Sequence, residues 1–181
     1  MLRGTSSFSG YLSDMLWCQH YAFHQREAMM AALIRAVEEE VGAFETGQKI
    51  NCHHNYAAEL EPGLWLTRKG AIDASEGRMG ISPGSRGAAT YIVRGKGNAE
   101  SYNTSPHGAG RLLGRNVAKK SLDLDTFKAQ MVGRTWLDRE AKELLDEAPN
   151  AYKPIETVIA DSADLIETLT VLSQFINYKG L

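Results

Sequence analysis

Cysteine is almost absent from this chain. Cys18 and Cys52 are the only two in 181 residues, too few for a disulfide scaffold, and a reducing, cytoplasmic setting is the expectation that follows. Long apolar runs are missing as well. No stretch approaches the roughly 20 residues needed to span a bilayer, and the N-terminus lacks the charged segment and apolar run of a signal peptide. Charge of one sign is not in excess: the formal net charge is -2, which argues against a basic nucleic-acid surface over the whole chain but leaves room for a local basic groove. Internal repeats, low-complexity tracts and linkers are also lacking. What is there is ordinary globular composition, 43% hydrophobic and 23% charged, expected to form one domain over residues 1–181 with a core of its own.

Residues 11 to 42 carry helical periodicity. Tyr11, Leu12, Met15, Leu16, Met29, Met30, Leu33, Ile34, Val37 and Val41 recur at three- and four-residue steps, and Gly42 is a stop. The methionines and aromatics of this face predict core packing. From 48 to 105 short runs such as "GLWLTRKG" and "AATYIVRG" are broken by Gly, Pro and Ser, which reads as strands and tight turns. "ISPGSRGA" reads as a loop in which Pro83 fixes φ while Gly84 and Gly87 free the backbone. After Arg111 helical character returns, with "DREAKELLDEA" predicted as a helix capped by Asp138. The β-branched residues of the last stretch favour a strand. The class expected is α+β: a long N-terminal helix, a β-rich middle, then helices and a final strand.

Histidine is scarce, five in all, and two of them are adjacent in "INCHHNYA". Strand alternation would send His53 and His54 to opposite faces, so they are not expected to hold one metal together. "HGAGR" places His107 before small residues. If a helix begins there, its bare amides make an anion site with Arg111 as a bidentate phosphate grip, the alternative being a glycine-rich surface turn. "PGSRG" offers exposed amides with the Ser85 hydroxyl and the Arg86 guanidinium, or again only a turn. Arg68 and Lys69 in "TRKGA" read as a solvated face.

Taken in order, "YLSDMLWCQHYA", "INCHHNYA", "PGSRGA" with "YIVRGKGNAES", "HGAGR", "DEAPNAYK" and the terminal "YKG" resemble the RtcB-type RNA ligases, the GTP- and manganese-dependent enzymes of tRNA splicing and RNA repair. The resemblance runs from about Tyr11 to the last residue. It implies the C-terminal part of the RtcB-like fold and the joining of an RNA 3'-phosphate, or a 2',3'-cyclic phosphate after hydrolysis, to a 5'-hydroxyl through a covalent histidine–GMP intermediate. By resemblance His107 is the nucleophile, Gly108, Ala109 and Gly110 belong to the nucleotide-binding stretch, and Arg111 is the phosphate-site arginine. His54 matches a manganese ligand and Asn55 lies beside the nucleotide. Pro83, Gly84, Ser85 and Arg86 align with the guanosine-contacting loop, with Thr90 where the family often has serine. Tyr152 and Lys179 match residues that border the guanine.

Departures from the pattern are specific. The segments that give the family an aspartate, a bridging cysteine, a "GNHF" histidine and a further ligand histidine have no match here, and Asp14 and Cys18 do not replace them. Arg86 stands for the usual methionine, Pro106 for a serine before the nucleophile, and Gly114 for a serine after it; Arg86 is expected to add a phosphate contact or a surface charge. One histidine is a poor manganese site. The expectation is therefore a ligase segment that needs a separate N-terminal portion, with RNA (tRNA halves or broken RNA) as substrate and an archease-like activator as a further partner, and with an exposed apolar patch where the missing portion docks. The other readings are a catalytically inactive nucleotide- or RNA-binding module and a purely structural subunit.

Overall fold

Thr5 opens the first element. Its hydroxyl accepts from the Phe8 amide at 3.3 Å, and helix α1 then runs Ser6–Val41 until Gly42 stops it at φ 84°, donating its amide to Glu38. The computed structural model describes residues 4–178, which divide into two compact units between Ile72 and Asp73. No helix among the described residues is long and apolar enough to cross a membrane.

In the first unit α1 is followed by β1 (Asn55–Glu61) and β2 (Leu64–Lys69), an antiparallel hairpin whose Pro62-Gly63 turn has Gly63 at φ 77°. One stripe of α1 meets β1 through polar contacts: Gln19 accepts from the Ala57 amide at 2.7 Å, and Asn51 donates to the Phe23 carbonyl while accepting from Arg26 at 2.7 Å. Core packing of the Met and aromatic face is not what forms. No residue of α1 is buried, and Trp17, Tyr21, Met29, Met30, Leu33, Val37 and Val41 are exposed. Arg68 also departs from expectation. Its alternate position on β2 turns inward, where it is 7% exposed, bonds the Tyr56 hydroxyl and lies 5.3 Å from that ring's centre.

β3 (Ala71–Asp73) leads into the second unit. There β4 (Met79–Pro83), β5 (Thr90–Gly95) and β8 (Ile166–Leu172) make an antiparallel sheet in the order β4-β5-β8. Its alternation buries Val93 and Ser82, and Gly95 is required because a Cβ there would sit 2.3 Å from the Ala74 carbonyl. The remaining elements are β6 (Thr104–Pro106), α2 (Arg115–Ser121), α3 (Leu124–Gln130), β7 (Thr135–Trp136), α4 (Ile155–Asp161) and β9 (Ile176–Asn177), with β7 and β9 paired in parallel. Phe127, Met131, Ala141, Leu144, Leu145 and Ala148 form an apolar core, with the Phe127 and Trp136 rings 5.2 Å apart.

The helix expected from Asp138 is instead a series of turns. Short 3-10 segments occupy Asp138–Glu140, Leu145–Glu147 and Pro149–Ala151, and Asp138 makes no cap bond. Pro149 has no N–H to return to Leu145, whose carbonyl takes Ala148 instead, and the Asp146 carbonyl is taken by Arg111 at 2.6 Å. Ala141, Leu144, Leu145 and Ala148 nonetheless face the core. Only the backbone bonding differs.

Candidate functional site

β4 delivers its last residue, Pro83, opposite Thr90 of β5, and the chain between them folds back on itself. Gly84 donates to the Ala89 carbonyl at 2.9 Å, and a Cβ at Gly84 would lie 2.7 Å from the Ala88 Cβ. Ala88 donates to the Ser85 carbonyl, and the Gly87 amide donates to Gln174 Oε1 at 3.0 Å, while Gln174 Nε2 donates back to the Ser85 carbonyl. So two of the "PGSRG" amides, at Gly84 and Gly87, are engaged within the chain rather than bare, as is that of Ala88 just after it. Nor is Arg86 a surface charge: it is 6% exposed, and none of its three guanidinium nitrogens has a hydrogen-bond partner among the described residues. Burial draws its pKa down, opposed by the charges of Glu147 and Glu140.

The "HGAGR" segment packs directly on this loop. Gly108 comes so close that a Cβ would be 2.6 Å from the Pro83 carbonyl oxygen, which also accepts from the Ala109 amide at 3.1 Å. No helix begins at His107; β6 ends at Pro106 and α2 starts only at Arg115, behind Gly114, which caps it without a side-chain bond. The helix-terminus anion site expected there is therefore absent from the described residues. His107 is half-buried beside Pro106, and Gly110, at φ 70°, accepts from the Lys153 amide.

Arg111 is held rather than open. It bonds the Asp146 carbonyl, pairs with Glu147 Oε1 at 2.8 Å, approaches Asp146 Oδ2 at 3.7 Å, and its guanidinium lies 4.6 Å from the centre of the Tyr152 ring. Tyr152 in turn donates its hydroxyl to Glu147 Oε2 at 2.5 Å. Burial, then the bond and charge of Glu147, push that phenol well above its usual range against the opposing pull of Arg111, so it stays a donor. Arg111 and Glu147 thus clamp Tyr152 from its face and its hydroxyl.

Glu147 and Tyr152 of this clamp, but not Arg111, line a cleft of about 290 Å³. Pro83, Gly84, Ser85, Arg86 and Tyr152, all named from sequence, line it together. Thr90, His107, Gly108, Ala109, Gly110 and Arg111 are not among its lining residues, and Lys179 lies outside the described residues. Glu147, Gln174, Asn177 and Tyr178 also line it and were missed. Glu147 and Tyr178 belong to the stretches "DEAPNAYK" and "YKG" and could have been found by their neighbours; Gln174 and Asn177 carry no sequence signal.

The histidine pair lies in the other unit. Neither His53 nor His54 is in a strand, since β1 begins at Asn55, so alternation does not separate them. The chain turn does. His53 packs 6.3 Å from the Phe23 ring and 5.6 Å from the Tyr56 ring, with Arg26 3.4 Å from its Nδ1. Burial first, then the charges of Arg26, His54 and His20, hold it below the usual histidine range. His54 is exposed, and its carbonyl accepts from Ala71. Asn55 Oδ1 accepts from the Gly70 amide at 2.8 Å, closing the open end of the hairpin. Among the described residues no group of three or more His, Cys, Asp or Glu side chains is placed to hold a metal, so His54 with its neighbours does not by itself fit a manganese centre.

The sequence pattern of the family described as "tRNA-splicing ligase RtcB" matches residues 1–180. The chain is 39% identical to the RNA-splicing ligase RtcB of Escherichia coli over 189 residues, and 40% identical to RNA-splicing ligase RtcB1 of a second Escherichia coli strain, covering 99% of this chain and 46% of each relative. It is 29% identical to the tRNA-splicing ligase RtcB of Pyrobaculum aerophilum, over 82% of this chain and 37% of that protein. The chain spans less than half the length of these relatives.

Proposed function

The chain belongs to the tRNA-splicing ligase RtcB family, and from that premise we propose that it is the nucleotide-binding, nucleophile-bearing part of a GTP-dependent RNA ligase. One observation carries the reading: the segment that presents His107 is fastened to the cleft-forming loop, through Ala109 and Gly108 against the Pro83 carbonyl. A nucleotide seated in the cleft would have its base against Tyr152 and its phosphates directed toward His107.

In this reaction a ring nitrogen of His107 attacks the α-phosphorus of GTP. A P–N bond forms, the bond to the β-phosphate oxygen breaks, and pyrophosphate leaves. An oxygen of the RNA 3'-phosphate then takes the guanylate and frees the histidine. The RNA 5'-hydroxyl attacks the activated phosphorus, loses its proton, and GMP departs. Arg111, held by Asp146 and Glu147, positions Tyr152 beside the cleft. Manganese belongs to the proposal with His54 as one ligand, the others coming from residues beyond the 181 here, in the same or another polypeptide; no step is assigned to it.

The test is transfer of label from α-labelled GTP to protein in the presence of Mn²⁺, with the chain alone and with an added N-terminal portion of a relative. Label should appear with the added portion and vanish in His107→Ala. Equal labelling in that variant sinks the assignment. Nucleotide binding without labelling under any condition favours the second reading, an inactive binding module.

A further inference from the structure

We propose that Arg86 is a specificity-determining residue of the cleft, its guanidinium turning in on ligand binding to donate to the paired acceptors on the edge of a guanine base. This rests on the nucleotide-binding reading of that cleft.

A guanidinium shut away from water without acceptors is an unfavourable arrangement in a folded protein, because the charge has lost its solvation and gained no bond. Arg86 is in that state: 6% exposed, with Nε and both terminal nitrogens unpartnered among the described residues. Glu147 and Glu140 attract it without bonding to it. The side chain belongs to a residue that lines the cleft, and rotation about its long stem is the short route to a partner.

What that partner is follows from the rest of the cleft. At about 290 Å³ it stands at the small end of small-molecule sites, which run from about 300 to 1,000 Å³, so it takes one ring system rather than a triphosphate. Glu147 lines the same space, and its charge disfavours a phosphate there. Its two oxygens receive Arg111 and Tyr152, which hold the carboxylate in place as an acceptor wall of the cleft. A donor fork and an acceptor carboxylate facing one aromatic-walled space complement a base with acceptors on one edge and donors on another. Guanine has both: O6 and N7 match the guanidinium fork, while its N–H groups suit a carboxylate. Adenine turns a donor, N6, toward Arg86 and is disfavoured.

The experiment is calorimetric binding of GTP, ATP and 7-deaza-GTP to the 181-residue chain and to its Arg86→Met and Arg86→Lys variants, with thermal unfolding of each without ligand. GTP binding should weaken about tenfold in Arg86→Met, the size of one bidentate base contact, while ATP binding changes little and the preference for GTP collapses. Arg86→Lys keeps the charge but not the fork and should fall between. Replacing N7 should weaken binding to the parent chain and not to Arg86→Met. Without ligand, Arg86→Met should melt no lower than the parent. An unchanged GTP-to-ATP preference in Arg86→Met overturns the proposal while leaving the cleft a nucleotide site. A lower melting temperature with equal loss of both nucleotides overturns it in favour of a structural arginine. If the parent chain binds neither nucleotide, or binds both with Tyr152→Ala changing nothing, the nucleotide reading of the cleft fails and this proposal with it.

Discussion

Replacing Gly108 by alanine tests the contact on which the site is built. The added Cβ would lie 2.6 Å from the Pro83 carbonyl oxygen, with Pro83 Cγ and Cδ at 3.6 Å behind it. The nearest obstacle is backbone, at the end of a paired strand, and cannot swing aside as a side chain would. Relief to ordinary contact near 3.4 Å requires the two segments to part by most of an ångström. The Ala109 amide, 3.1 Å from the same oxygen, then passes out of bonding range. Overpacking costs about 1–3 kcal/mol and the lost hydrogen bond about 1 kcal/mol, so the expected destabilisation is about 2–4 kcal/mol. For a chain of this size that is on the order of 5–15 °C in melting temperature. Thermal unfolding followed by circular dichroism reads it, with Gly47→Ala as control, since that glycine lies outside helix and strand and a Cβ there meets nothing within 4 Å. If Gly108→Ala melts with the control, the close approach of the two loops is wrong, and so is the geometry given for His107.

Other perturbations have sharper local readouts. Gly114→Ser supplies the side-chain cap that α2 lacks and should stabilise it by a few tenths of a kcal/mol, roughly the gap between glycine and serine at this position, seen as slower amide exchange in Arg115–Ser121. Tyr152→Phe deletes the hydroxyl bonded to Glu147 and should cost about 1–2 kcal/mol in urea unfolding; no change would mean the clamp is not formed in solution. His53, held below its unfolded value of 6.5, takes up a proton more readily in the unfolded chain. Its contribution to stability is thus full above that value and is lost as the pH falls through and below it, so the parent should lose more melting temperature between about pH 7 and 5 than His53→Gln does. Trp17→Lys, at a side chain 68% exposed, should change stability by less than about 0.5 kcal/mol; a larger loss would show that the helix face is covered.

Signals local in the chain were legible in the residues themselves. The long helix, its Gly42 stop and the strands and tight turns between 48 and 105 follow from spacing and turn chemistry, although β4 reaches to Pro83, inside a stretch that reads as loop, and the ordered motifs were enough to indicate the family. The 3-10 turns after Asp138 were half legible, since the apolar spacing is visible but the competition for the Leu145 and Asp146 carbonyls involves Pro149 locally and Arg111 from 35 positions away.

What the sequence determined by itself is thus which residues are present for the chemistry and where the long helix runs and ends, because that depends on neighbours a few positions apart. Tertiary structure alone decided what each polar group faces. It buried Arg86 without a partner, closed Arg111 onto Glu147 and Tyr152, and brought Gln174 back to the loop at Ser85, 89 positions earlier. The same folding left the apolar face of α1 exposed. Burial and hydrogen bonding are set by which distant segments meet, and a pattern of residue types along a chain does not specify that.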